Sequence, residues 1–101
     1  MTGKPKLKLY MLTQNAVSGY DTYDSAVVAA TSPTAAKRFH PNEDHAEWSS
    51  RMGCWVWSMR PTDPYESASW ASSPDAVEAT LIGYAHASTK PGLVLASFNA
   101  G

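Results

Sequence analysis

Residues 6–13 alternate, with Leu7, Leu9 and Met11 on one side and Lys6, Lys8 and Tyr10 on the other. A period of two over this length fits only a strand with one buried face. A second run, residues 23–30, is centred on Val27 and Val28 and also reads as a strand. Between them lies Gly19-Tyr20-Asp21-Thr22-Tyr23-Asp24-Ser25, in which no residue is aliphatic and which must therefore be a turn or the mouth of a strand pair.

Beyond the second strand, local chemistry punctuates the chain. Ser32-Pro33 supplies an N-cap and a first helical residue, predicting a helix over 34–40 that Pro41 stops. Ala35, Ala36 and Phe39 share one face of that helix. Residues 42–52 are polar and read as an exposed loop. Residues 53–59 predict a third strand with Trp55 and Trp57 on one face, and residues 77–85 a fourth. Residues 93–98 predict a last strand, apolar at nearly every position and therefore expected at the centre of the sheet. Residues 60–74, with three prolines, read as a long loop, either a lid or a neutral insertion. The expected fold is α+β: one compact domain over 1–101, a mainly antiparallel sheet of about five strands, and one short helix packed on one face. Leu7, Leu9, Val27, Phe39, Leu81 and Leu95 are expected to share its core.

Composition narrows the function classes. A net charge of −1 speaks against general nucleic-acid binding, despite Lys4, Lys6 and Lys8 near the start. No apolar run approaches the ~18 residues of a membrane span, and no signal-peptide pattern is visible, so the expected location is cytoplasmic. The single cysteine, Cys54, excludes an internal disulfide and a multi-cysteine zinc site, and its apolar neighbours suggest a buried thiol. His40, His45 and His86 read as solvated loop histidines, so no metal and no cofactor is expected. No nucleophile elbow and no glycine-rich phosphate loop is present, which ranks a small hydrolase or metal enzyme last.

The remaining polar and aromatic residues suggest binding. Tyr20 and Tyr23 offer stacking faces, Asp21 and Asp24 accept hydrogen bonds, and Asn99 both donates and accepts. The 19–25 stretch and the 97–101 tail both lie at strand ends, and are expected to meet in one ligand site. Arg38 and Arg51, with Lys37, supply positive charge. Trp48 and Trp70 lie in polar segments and suggest an interface and a homo-oligomer.

Leu9-Tyr10-Met11-Leu12-Thr13-Gln14, residues 19–30, His40-Pro41, Ile82-Gly83-Tyr84-Ala85 and Ala96-Ser97-Phe98-Asn99-Ala100-Gly101 together resemble a family of small phage and prophage accessory proteins. The resemblance spans most of the chain but not residues 60–74. It implies a phage accessory origin, and small phage proteins of this size are often inhibitors of bacterial immunity. The expectation is a non-enzymatic anti-defence protein that binds stoichiometrically and sequesters a small nucleotide immune signal. The alternative is an anti-CRISPR-type inhibitor that covers the surface of a host defence protein.

Overall fold

The structure, a computed structural model, describes residues 7–17, 22–43, 45–66, 69–86 and 88–99, with the side chains of Phe98 and Asn99 outside that description. The elements run β1 (Lys8–Thr13), β2 (Thr22–Ala30), α1 (Pro33–Ala36), β3 (Ala46–Ser49), β4 (Cys54–Trp57), β5 (Arg60–Pro64), a 3-10 turn (Pro74–Ala76), β6 (Glu78–Tyr84) and β7 (Gly92–Asn99). The strands form two antiparallel sheets, ordered β6-β1-β2-β7 and β3-β4-β5. The α+β class holds, but two sheets replace the single sheet of about five strands. The second sheet arises from segments whose composition suggests loops. β3 lies within residues 42–52, and β5 within residues 60–74. Both strands are short, four and five residues, and too polar to show an alternation. β5 tolerates Pro61 and Pro64 because it is an edge strand, where a missing N–H costs little.

Register fixes which face of the four-stranded sheet is buried. Tyr10 pairs with Val28 and Leu12 with Ala26, and these residues point into the core. Across the sheet, Ala79 opposite Leu12 and Ala96 opposite Ala26 extend the same face. Trp55 from the smaller sheet, Ala36 from α1, and Trp70, Ala71 and Val77 complete the cluster. The core therefore has the opposite phase to the expected one. Leu9 and Met11 pair with Ala29 and Val27 on the other face, and Leu95 opposite Val27 is 58 % exposed. Leu81 is 48 % exposed beside a bulge in the β1–β6 pairing. Leu7, Leu9, Val27 and Phe39 are only half-buried, so the predicted six do not form the core. β7 is an edge strand rather than a central one.

The helix is capped as its sequence suggests but ends early. Ser32 Oγ accepts from the Ala35 N–H at 3.1 Å. After Lys37 the turns tighten, with the Arg38 and Phe39 N–H groups donating three residues back, to Ala35 and Ala36 carbonyls. His40 precedes Pro41, whose ring disfavours helical backbone at the residue before it, so no helical turn follows residue 38. Cys54, at the start of β4, is half-buried rather than enclosed. Among the described residues no helix is long and apolar enough to cross a membrane.

The assignment of faces has a direct test. Leu12→Ala is expected to cost about 2–5 kcal/mol, while Leu95→Ala costs less than about 1 kcal/mol. Urea denaturation of the two variants measures both, and equal losses would contradict the register.

Candidate functional site

The segment after α1 turns inward and buries a histidine. His40 is 1 % exposed, enclosed edge-to-face by Trp55 at 4.9 Å, Tyr65 at 5.5 Å and Tyr23 at 6.5 Å between ring centroids. Its Nδ1 accepts the Asn42 N–H at 2.9 Å, so the proton of the neutral ring sits on Nε2. Asn42 in turn donates through Nδ2 to the Tyr65 hydroxyl at 2.7 Å. Burial lowers the His40 pKa to about 4, so the ring is neutral near pH 7. Burial also raises the Tyr23 hydroxyl, helped by Tyr65. The expectation of a solvated loop histidine fails at His40, because a short helix followed by His-Pro delivers the ring into the gap between the sheets. His45 and His86 are exposed.

Above this node lies a groove of about 270 Å³, walled by Arg38 and Phe39 from the turn after α1, Glu43, Glu47 and Trp48 from β3 and its approach, and Ser58, with His40 contributing to its lining. Trp48 is half-buried and held edge-to-face against Trp55 at 5.3 Å, its cross-strand partner. Glu43 is pinned as well. Its Oε2 accepts the Leu93 N–H at 2.9 Å. This contact needs Gly92, whose φ is +130° and where a Cβ would lie 3.0 Å from the same oxygen. The groove thus presents a fixed aromatic, one guanidinium, a carboxylate tied to β7, a second carboxylate and a hydroxyl.

The predicted site residues divide. Arg38 and Trp48, which the sequence assigned to separate roles, line the same groove. Tyr23 packs against the core beside His40, and Asp24 is exposed at a bulge in the β2–β7 pairing. Thr22 to Ser25 belong to β2 rather than to a turn. Thr22 pairs with Asn99, Tyr23 with Phe98 and Ser25 with Ser97, so the described parts of the two segments lie on neighbouring strands. Tyr20, Asp21, Ala100 and Gly101 lie outside the described residues, as does the Asn99 side chain. Arg51 is exposed in the turn between β3 and β4 and does not line the groove.

Trp70 corrects the interface expectation. It is 1 % exposed, because the chain after β5 folds back: the Tyr23 N–H donates to the Ser69 carbonyl at 2.8 Å, and Trp70 and Ala71 enter the core. Its indole Nε1 has no hydrogen-bond partner among the described residues.

Sequence reasoning missed Phe39, Glu43, Glu47 and Ser58 as groove residues. Phe39 read as core, and the acids as loop charge. Glu43 meets its partner fifty residues away, a pairing with no local signal. A second concavity, lined by Gln14, Asp75 and Glu78 among others, carries acids without a cation, and Gln14 there spends its amide on the Val17 and Tyr23 carbonyls. Among the described residues no three metal-ligating side chains converge.

Comparison with protein-family models, with curated proteins and with solved structures returned no match.

The buried histidine makes stability depend on acid. The unfolded chain takes up a proton at His40 near pH 6.5 and the folded chain only near 4, so the folded state is fully favoured above 6.5 and loses ground as pH falls through that window. The loss attributable to His40 is on the order of 3 kcal/mol. Nuclear magnetic resonance should show the His40 ring titrating with a midpoint of about 4. A midpoint near that of an ordinary histidine would contradict its burial.

Proposed function

We propose that this protein binds a small, ring-bearing polar anion of the nucleotide class in the Arg38–Trp48 groove and acts by sequestering it. The observation that carries this proposal is the convergence of Arg38 and Trp48 on one concavity whose other polar groups are acceptors and a hydroxyl. Trp48 supplies a stacking face, Arg38 a partner for phosphate, and Glu47 an acceptor for ribose hydroxyls or base amino groups. A bare phosphate would meet two carboxylates beside one cation, so a ligand with a ring and hydroxyls suits the groove better. Holding rather than turnover is favoured because His40, the histidine nearest these groups, has its Nδ1 lone pair committed to the Asn42 backbone. With the resemblance to phage accessory proteins, the use we propose is removal of a nucleotide signal of bacterial immunity.

A second proposal, inhibition of a host defence protein by surface contact, draws on Leu81, Ile82 and Tyr84, which stand 48, 49 and 60 % exposed on the edge strand β6.

Thermal denaturation with a panel of cyclic mono-, di- and trinucleotides tests the first. At a hundredfold excess over Kd, a ligand of the folded state adds about 2.7 kcal/mol, roughly 10 °C in Tm for a chain of this size. The nucleotide should be recovered unchanged. Arg38→Ala and Trp48→Ala should each weaken binding by about tenfold or more, and Arg51→Ala should not. A shift that survives both groove substitutions would place the ligand elsewhere. No shift with any nucleotide, together with a host protein that co-purifies and is lost on Leu81→Lys, would favour the second proposal.

A further inference from the structure

The core occupies one face of the four-stranded sheet, and the opposite face is also apolar. An antiparallel sheet with one covered face ordinarily alternates apolar with polar, leaving the open face hydrophilic. Here the register puts Leu9 and Met11 of β1, Val27 of β2 and Leu95 of β7 on the open face, Leu9 and Val27 half-buried, while Ala29, of the same phase, is fully buried at its end. Met11 is 37 % and Leu95 58 % exposed. Thr13, Ser25, Thr80 and Ser97 border them. Among the described residues the ionisable groups lie at its border: Glu78 opposite Thr13, Asp24 exposed at the β2 bulge, and the Glu43 carboxylate beside Gly92, which pairs with Ala29.

We infer that this face is the interface of a homodimer, in which a second copy of the chain lays the same face against it. Charge favours this occupant. A charged partner surface would lose hydration here without gaining a counter-charge, whereas a second copy matches the apolar centre by symmetry, as an isologous contact requires. Area is sufficient. Four strands ~4.8 Å apart and six to nine residues long span roughly 19 by 25 Å, so two copies cover on the order of 1,000 Å² in total, the lower bound for a specific interface. The dimer is therefore concentration-dependent and dissociates on dilution. The two facing sheets of such a dimer lie about 10 Å apart.

Sedimentation equilibrium across a dilution series tests the proposal. The unaltered protein should be dimeric at high concentration and monomeric on dilution. Leu95→Lys and Met11→Lys change exposed positions, so each should keep the native circular dichroism spectrum while weakening the dimer by roughly a hundredfold, since each places two unpaired charges in the contact. Spin labels on Met11→Cys in a Cys54→Ser background distinguish the face from the β7 edge. Face-to-face packing brings the labels to about 10–15 Å, while pairing of two β7 strands holds them roughly 24 Å apart. A monomer at all concentrations overturns the proposal. So does a dimer that survives both lysine substitutions, or one with the longer label distance.

Discussion

The contact on which the rest of the structure depends is that of Trp55 with His40. Trp55 is fixed from several directions. Its indole Nε1 donates to the Ala71 carbonyl at 2.8 Å, its own carbonyl accepts the Tyr65 N–H at 2.8 Å, and its ring meets His40 and Trp48 edge-on. His40 meets Tyr23 of the larger sheet and Tyr65 after β5 on other sides. One neutral imidazole thus lies among rings from both sheets, and the two short hairpin strands β3 and β4 acquire a core they are too small to bury alone. The candidate groove inherits its geometry from this node. Trp48 stands on Trp55, and Arg38 and Phe39 immediately precede His40 in the chain.

The strands of the larger sheet were largely legible in the sequence, while their orientation was not. β1 alternates, and alternation specifies a face only when the two faces differ. Leu9 and Met11 are as apolar as Tyr10 and Leu12, so the pattern admits both phases. What selects between them is tertiary: Ala26, Ala30 and Ala36 let the helix and the indoles of Trp55 and Trp70 close over the Tyr10 face. Leu95 and Leu81 look like core residues for the same reason, and β7 looks central because neither of its faces is polar. The apolar open face that confuses the sequence pattern is the same feature that a second copy would cover.

The candidate site was legible in pieces. Arg38 and Trp48 stand out as a cation after a helix and an indole in a polar segment, but the hairpin that joins them is hidden within a stretch without alternation. His40 carried one clue, the His-Pro step after a capped helix, and nothing local shows that it points inward. Trp70 misled because a polar neighbourhood in sequence is not a polar environment in space. Residue 69 is stitched to β2, and the indole is carried into the core with it. Thr22 and Asn99 pair along the backbone, because β7 runs beside β2 to its end.

If the Trp55–His40 node joins the two sheets, they form one cooperative unit, and the groove is as rigid as the core beneath it. Native-state hydrogen exchange tests this directly. The Trp55 indole N–H and the amides of Trp55 and Val56 should exchange with the same opening free energy as the amides of Leu12 and Val28, that of global unfolding. Exchange of the β4 protons through a separate opening, at a free energy several kcal/mol lower and with the larger sheet still protected, would contradict the account.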